Sequence, residues 1–365
     1  MMHRKILAPL LTGILTVGLL AGCGANNTKN TGAANSVDSE PTATAQTAEK
    51  VVNVYSARNY DVDAKLYEKF TAESGIKVNV IDGKAEELIE RLKREGEGTQ
   101  ADLFLTVDGG VLNNAKQAGL LQPVTSEIIN KNVPTELRDS DHQWIGLSTR
   151  ARVIVYSKDR VKPEQLSTYE DLTNSAWKGK VLVRPSSSLY NQSLLSSFIE
   201  LNGEEKAEAW SKGLVANFAR TPEGNDRDQA KAIAAGIGDV AIMNTYYVGL
   251  LLNSDDPEEV KVGQSIGVFF PNQATNGAHV NVSGAGLIKH SKNKENAEKL
   301  IEFLTEKEAQ TMFTNENYEF PVNAEAELPE LLKSWGTFKT QKIDYNKLGV
   351  HNAKAIEIMN KTGWK

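Results

Sequence analysis

Residues 51–81, with the sequence VVNVYSARNYDVDAKLYEKFTAESGIKVNVI, predict a strand, a helix and a second strand in succession. Val62, Leu66 and Phe70 are spaced at i, i+4 and i+8, so a helix over 61–75 would carry three apolar side chains on one face. The runs on either side of this helix are short and rich in β-branched residues, which is typical of strands. The stretch therefore predicts a β-α-β unit whose two strands are parallel.

The same alternation continues along the chain. Strands are predicted over 51–55, 77–81, 101–105, 153–156, 179–183, 239–243 and 266–270. Helices are predicted over 61–75, 85–95, 109–119, 294–311 and 354–361. A break near Trp144 divides the pattern into two parts. Such alternation is typical of mostly parallel sheets, so we expect an α/β protein of two lobes. The cleft between the lobes is the expected ligand site, because pockets favour domain interfaces.

Composition narrows the class of protein. At 365 residues the chain is long enough for two ordinary domains. Its 41 basic and 47 acidic side chains give a net charge of −6, which argues against a nucleic-acid partner, since such partners select clustered lysine and arginine. Cys23 is the single cysteine, which excludes internal disulfides and cysteine-rich zinc or iron–sulfur sites.

The N-terminus has the pattern of a secretory signal, with a short basic start and an apolar run over residues 1–22. The run ends in LAGC (20–23), which resembles the lipobox of bacterial lipoproteins. We expect cleavage before Cys23 and lipidation of that residue. Residues 23–50 contain few large apolar side chains, so beyond the lipidated cysteine they are predicted to be a flexible linker. The folded body would then be extracytoplasmic and lipid-anchored to the bacterial cell membrane.

Motifs typical of catalysis are missing from the sequence. It contains no G-x-S-x-G, H-E-x-x-H, Walker A or G-x-G-x-x-G pattern, and its five histidines share no spacing typical of metal ligands. We therefore predict a binding protein and not an enzyme. A secreted metal-dependent hydrolase is the alternative from another class, and screening against esters and phosphates would test it.

Four of the ten tyrosines follow predicted strands. Tyr246 and Tyr247 are adjacent, where a strand ends and a helical run begins. Tyr60 and Tyr190 occupy similar positions after two other strands, one in each predicted lobe. Ligands of open α/β sheets bind at the carboxyl ends of the strands. We therefore expect the four phenols to share one ligand site.

Converging phenols favour a hard and highly charged cation. A free phenol has a pKa of about 10, so only a strongly Lewis-acidic ion displaces its proton near neutral pH. Copper or zinc would instead select thiolate or imidazole, whereas tyrosinate is a known iron ligand. Four phenolates around Fe³⁺ leave one net negative charge, which a guanidinium would balance. Arg150 and Arg58 are the candidates for that role.

Four stretches resemble the bacterial ferric-iron-binding proteins of ABC importers, whose fold is similar to one lobe of transferrin. They are YSARNY (55–60), LSTRARV (147–153), RPSSSLYNQ (184–192) and DVAIMNTYY (239–247). The likeness is closest to the tyrosine-rich subgroup of the cyanobacterial ferric importers and extends from about residue 51 to the C-terminus.

This resemblance implies a set of site residues. The implied metal ligands are Tyr60, Tyr190, Tyr246 and Tyr247, with Arg150 behind them. Members of the family often carry a histidine beside the first tyrosine, where this chain has Asn59. The site is therefore expected to consist of four tyrosines, or of these tyrosines completed by water or a small anion.

The resemblance also implies a two-lobed type II periplasmic binding protein that closes about a hinge. Lobe 1 is expected to comprise 51–147 plus 272–322, and lobe 2 is expected to comprise 148–271 plus 323–365. The protein would capture ferric iron as a monomer and deliver it to an ABC permease, with ferrous iron left open as a second cargo. A rival of the same fold would bind an organic or oxyanion ligand, such as a polyamine or phosphate ester, with Arg150 or Arg184 as a clamp.

Overall fold

The computed structural model describes residues 50–365. The predicted signal segment 1–22, the predicted lipidation site Cys23 and all of the predicted linker except Lys50 lie outside the described residues. Within 50–365, every helix is too short or too polar to cross a bilayer. The strands are β1 (Val51–Ser56), β2 (Lys77–Asp82), β3 (Leu103–Thr106), β4 (Leu121–Gln122), β5 (Trp144–Ser157), β6 (Val181–Leu182), β7 (Val240–Asn244), β8 (Ile266–Phe269), β9 (Val280–Ile288) and β10 (Phe320–Pro321).

The helices follow the strands in the alternation that the sequence predicts. They are α1 (Asp61–Ser74), α2 (Ala85–Glu95), α3 (Gly109–Gln117), α4 (Glu127–Asn132), α5 (Leu189–Asn202), α6 (Glu204–Val215), α7 (Asp226–Ala234), α8 (Thr245–Leu252), α9 (Pro257–Ser265), α10 (Lys294–Thr305), α11 (Lys307–Asn317), α12 (Glu330–Ser334) and α13 (Asn346–Thr362). The single helix predicted over 294–311 is two helices, because the backbone at Glu306 is extended. The C-terminal helix begins earlier than predicted.

The strands form one mixed sheet with the order β2-β1-β3-β9-β5-β7-β6. β1 pairs in parallel with β2 and β3, as the β-α-β pattern predicts, and β6 pairs in parallel with β7. The long strands β5 and β9 run antiparallel to all their partners. The expectation of a mostly parallel sheet was therefore wrong.

β5 passes from one half of the sheet to the other. Its first part, up to Ala151, pairs with β9, whereas its second part, from Arg152, pairs with β7 and β8. We call β1 to β4 the first half of the sheet, β6 to β8 the second half, and the two central strands β5 and β9, which lie between the halves, the crossing strands. The strand begins at Trp144, where the sequence predicted a break. Gly146 lies within the strand, and a Cβ there would lie 2.7 Å from the carbonyl oxygen of Leu137, so the glycine permits close packing.

β9, which pairs with β3, β4 and β5, is not among the strands predicted with bounds above. Its sequence VNVSGAGLI contains two glycines and small side chains, which lower the strand signal. A Cβ at Gly284 would lie 2.5 Å from the carbonyl oxygen of Ile145 and 2.7 Å from Leu112. The glycine that weakens the pattern is thus required by the packing of β9 against β5 and α3.

Each half of the sheet has its own apolar core. The first half buries Leu66, Phe70, Leu103 and Ile301, among others. The second half buries Ile154, Leu195, Trp210 and Ile242, among others. The C-terminal helix α13 packs on α3 of the first half and on α5 of the second. β5, β9 and α13 connect the two halves, and the candidate site is formed by residues from both of them.

Candidate metal centre

Tyr246 and Tyr247 lie where β7 ends and α8 begins, as the sequence predicts. Asn244 is the last residue of the strand, and Thr245 is the first residue of the helix. The two rings lie side by side, with their centroids 4.1 Å apart. Tyr246 is 3% exposed, and its neighbour is partly exposed. A strand end and a helix start therefore hold this pair of phenols.

Tyr60 approaches this pair from the first half of the sheet. It precedes α1, after β1 and a short loop, and its ring meets that of Tyr246 edge to face with centroids 6.0 Å apart. Its hydroxyl oxygen is buried and has no hydrogen-bond partner. Most buried hydroxyls in proteins are hydrogen-bonded, so the unpartnered oxygen of Tyr60 is a candidate metal ligand.

Tyr190 is the second residue of α5 and is almost fully buried. Three guanidinium groups surround its ring: the Cζ atoms of Arg150 and Arg184 lie 5.4 Å from the ring centroid, and that of Arg152 lies 5.8 Å away. Its phenolate charge would also act on Tyr60 and on the adjacent pair, whose pKa values it raises. The structure thus brings together all four tyrosines that the sequence singled out.

Burial raises the pKa of Tyr60, Tyr246 and Tyr247. It is the largest cause for Tyr60 and Tyr246, whose pKa values lie well above the usual 10, and the charge of Tyr190 raises both further. For Tyr247, burial and then Tyr190 raise the pKa to about 12. Arg150 lowers the pKa of Tyr60 and Tyr246 against these effects. These three phenols are therefore protonated at neutral pH until a cation displaces their protons.

Arg150 is fixed between the crossing strands and the phenols. It is fully buried on β5, and its Nη1 lies 3.2 Å from Oε2 of Glu319 and donates to Oγ of Ser283 at 2.5 Å. Its Nη2 donates to the carbonyl oxygen of Val107. The Arg150 guanidinium therefore lies beside Tyr190 and is held there by three contacts.

Glu319 is a buried charge of this site that sequence reasoning missed. Its Oε2 also accepts a hydrogen bond of 2.5 Å from Oγ of Ser148. Its negative charge raises the pKa of Tyr60, after the larger effect of burial. It directly precedes the two-residue strand β10, which pairs with β5. No local motif marks a lone glutamate at such a position, and only the tertiary pairing brings it to the phenols.

Arg58 and Asn59 lie on the loop before Tyr60 and differ in burial. Arg58 is buried, forms a 2.7 Å ion pair with Asp63, and places its Cζ atom 5.4 Å from the ring centroid of Tyr60. Asn59 is exposed and lines a cavity of about 620 Å³ with Ser187 and other residues. The predicted cation thus lies beside the first tyrosine, and the asparagine faces the open cavity.

A second polar cluster, also missed, lies beneath the adjacent tyrosines. Asp226 is fully buried, and its Oδ2 accepts hydrogen bonds of 2.9 Å from Nη1 of Arg152 and from the backbone of Asn244. Nη1 of Arg184 lies 3.8 Å from the other oxygen of Asp226 and has no hydrogen-bond partner. Arg184 was predicted only as a clamp for an organic or oxyanion ligand. Its place in the loop before Tyr190 is the signal that could have indicated its position beside the phenols.

Conventional metal ligands do not gather elsewhere in the described chain. Within residues 50–365, no group of three histidine, cysteine, aspartate or glutamate side chains could hold a metal ion. His279 is fully buried, and its Nδ1 lies 3.0 Å from Oε1 of Gln341. Burial lowers the pKa of His279 to about 3, so the ring is neutral at physiological pH.

Several proteins with similar sequences or structures are named for iron uptake or iron binding. Residues 99–347 match the family described as bacterial extracellular solute-binding proteins. The chain is similar to iron uptake protein A1 of Synechocystis, with 50% identity over 325 residues that cover 89% of this chain and 90% of that protein.

Two solved structures have a similar fold. A Trichodesmium protein solved in complex with iron and citrate has a TM-score of 0.83 and 49% identity, over 86% of this chain and all of that chain. A ferric binding protein from Campylobacter jejuni has a TM-score of 0.82 and 42% identity, over 86% of this chain and all of that chain.

Proposed function

The chain belongs to the bacterial extracellular solute-binding proteins, and we propose that it captures ferric iron outside the cytoplasm and delivers it to an ABC-type permease. It is a transport protein and not an enzyme. The observation that carries the proposal is the convergence of four phenols, from both halves of the sheet, on a site flanked by buried guanidinium groups.

We propose Tyr60, Tyr190, Tyr246 and Tyr247 as the iron ligands. The unpartnered, buried hydroxyl of Tyr60 supports this assignment, because a ligating cation would satisfy it. Phenolate oxygens are hard anionic ligands, which suit a small trivalent ion better than a soft or divalent one. Fe³⁺ is therefore the preferred cargo, and Fe²⁺ is expected to bind more weakly.

The charges around the phenols fit an anionic metal complex. Four phenolates and Fe³⁺ carry one net negative charge, and Arg150 is held close to Tyr190 by its contacts with Glu319, Ser283 and Val107. Preorganised charge of this kind costs no rearrangement at the moment of binding. Arg150 thus stabilises the phenolates, while Glu319 holds the arginine in place.

We propose that the molecule binds iron by closure of two lobes about the crossing strands. The proposed boundaries are 51–147 plus 272–322 for lobe 1 and 148–271 plus 323–365 for lobe 2. β5 pairs with β9 up to Ala151 and with β7 and β8 from Arg152, and this change of partners supports a hinge there. Tyr60 lies in the first lobe, and the other three ligands lie in the second, so closure assembles the complete set.

The proposed location and assembly follow from the N-terminal sequence and from the family. LAGC (20–23) supports lipidation of Cys23 after removal of residues 1–22, and the composition of 23–50 supports a flexible linker. The protein would then work as a monomer held beside the membrane, close to its permease. Growth in labelled palmitate, followed by comparison with a Cys23→Ser variant, tests the anchor.

Ferric ion supplied as a weak chelate to the purified mature protein tests the function. Tyrosinate charge transfer should turn the solution red-orange and saturate at about one ion per chain. The double variant Tyr246→Phe with Tyr247→Phe should stay colourless. Tyr345→Phe is the matched control, since this tyrosine is buried in the apolar core of the first half. A colourless parent that instead binds polyamines or phosphate esters would contradict the proposal in favour of an organic ligand.

A further inference from the structure

We propose that Asp108 is a positioning residue that fastens the two halves of the molecule around the bound metal, through Ser193 on α5 of the second half and Asn281 on the crossing strand β9. This inference rests on the proposed iron-binding function of the four phenols. Asp108 does not itself face a phenol. It acts through the helix that carries Tyr190.

The two carboxylate oxygens of Asp108 have different partners. Oδ1 caps α3 by accepting hydrogen bonds from the backbone nitrogens of Gly110 at 2.9 Å and Val111 at 3.3 Å. Oδ2 accepts from Oγ of Ser193 at 2.6 Å and from Nδ2 of Asn281 at 2.8 Å. The first oxygen stabilises the local fold, as N-caps do. The second oxygen is used entirely for contacts with distant parts of the chain.

These contacts join three parts of the molecule that closure must coordinate. Asp108 follows β3 in the first half, Ser193 belongs to α5 in the second half, and Asn281 belongs to the crossing strand β9. The preceding residue Val107 accepts the hydrogen bond from Arg150 on the other crossing strand. We call Asp108, Ser193 and Asn281 the Asp108 junction.

The junction lies one helical turn from a proposed ligand. Ser193 is three residues after Tyr190 on α5, and residues at this spacing share a helix face. A hydrogen bond that holds Ser193 against the first half therefore also holds the ring of Tyr190 toward Tyr60. The hydrogen bond between Ser193 and Asp108 thus links the first half to the helix that positions a second-half ligand.

Burial excludes water from the hydrogen bonds of the Asp108 junction. Asp108 is 1% exposed, as is Ser193, and Asn281 is fully buried. A hydrogen bond to a buried carboxylate is stronger than one between neutral groups. We expect opening of the lobes to separate Ser193 from Asp108, so that the bond stabilises the closed state only. Its loss should accelerate iron release and leave the initial capture of iron by the open form unchanged.

Ser193→Ala tests the inference, because it removes the cross-cleft donor and leaves the N-cap of α3 intact. We expect the iron dissociation rate, followed by loss of the visible band to an excess of chelator, to rise about tenfold, in line with the loss of one hydrogen bond to a charged group. The association rate should change by less than about twofold. Ser193→Thr keeps the hydroxyl and should restore slow release.

Ser197→Ala is the matched control, since Ser197 is also buried on α5 but donates to its own helix at the carbonyl oxygen of Leu194.

A double-mutant cycle of Asp108→Asn with Ser193→Ala distinguishes an effect of the Asp108 junction on iron release from an effect on the stability of the fold. Coupling in the dissociation rate, with none in the thermal unfolding of the iron-free protein, is the expected result.

Two results would overturn the inference while the proposed function stands. One is equal dissociation rates for Ser193→Ala, Ser197→Ala and the parent. The other is the same coupling in iron-free unfolding as in iron release, which would mean a purely structural role. A parent protein that takes up no ferric iron would overturn the proposed function, and this inference with it.

Discussion

Tyr60 and Tyr169 show how burial alone fails to identify a functional tyrosine. Tyr169 is fully buried, and its hydroxyl donates to the carbonyl oxygen of Arg152 at 2.5 Å, so its polar atom is satisfied by the protein. Tyr60 also buries its hydroxyl but has no partner for it. The difference lies in the unsatisfied oxygen, which is costly in a folded protein unless a ligand uses it.

The raised pKa values of the phenols predict that iron affinity falls on acidification. Because Tyr60, Tyr246 and Tyr247 are protonated in the metal-free protein, iron must release their protons on binding. The proton is therefore a competitor, and affinity rises with pH and decreases as pH falls. Competition with a chelator at several pH values should give a slope of more than about one log unit of affinity per pH unit.

A single substitution checks the origin of that slope. Tyr247→Phe removes one releasable proton and should lower the slope by about one, at the cost of affinity. Tyr345→Phe should leave the slope unchanged. An affinity that does not vary with pH would contradict the phenolate ligands.

At the scale of elements, the C-terminal helix supports the loop that carries Arg184. Trp364 directly follows the αL residue that ends α13, is fully buried against Trp210 and Phe218, and donates from Nε1 to the carbonyl oxygen of Arg184 at 3.0 Å. The segment that ends in Trp364 thus packs onto the second core and also fixes the backbone of the loop that carries Arg184.

Trp364→Ala should therefore lower both stability and iron affinity. Removal of a fully buried indole costs about 3–5 kcal/mol of unfolding free energy, measured by denaturant titration of the iron-free protein. Val350→Ala on the same helix is the control and should be nearly silent, because Val350 is 60% exposed. An unchanged unfolding free energy for Trp364→Ala would show that the C-terminus is not part of the second core.

Helices and the tyrosines were predictable because their signals are local. The helix over 85–95 was predicted with its observed bounds, and the four tyrosines were found from their places after strands. The bounds of β9 were not predicted, because close packing selected glycines that weaken its strand pattern. Glu319 and Asp226 were missed for a different reason. Each is a single acidic residue among 47, and only long-range pairing brings them to the site.

For the whole molecule, the placement of Tyr60 opposite the other ligands predicts that it couples binding to closure. Tyr60→Phe should leave a coloured complex on Tyr190, Tyr246 and Tyr247, with lower affinity. Small-angle scattering should then show a larger radius of gyration for this loaded variant than for the loaded parent. The three remaining phenols lie in the second half of the sheet, so they bind without bringing the halves together.

Tyr67→Phe is the matched control, since Tyr67 is buried on α1, the helix that follows Tyr60, and its ring belongs to the apolar core of the first half. It should close on iron like the parent. If Tyr60→Phe closes equally well, closure depends on other contacts and Tyr60 is not the ligand that couples it.

A crystal structure of the iron-loaded protein, with data collected at the iron absorption edge, tests whether four phenolates from two lobes hold the iron. We expect one anomalous peak within bonding distance of the hydroxyl oxygens of Tyr60, Tyr190, Tyr246 and Tyr247. A peak bound elsewhere, or one that leaves these oxygens free, would contradict this ligand set.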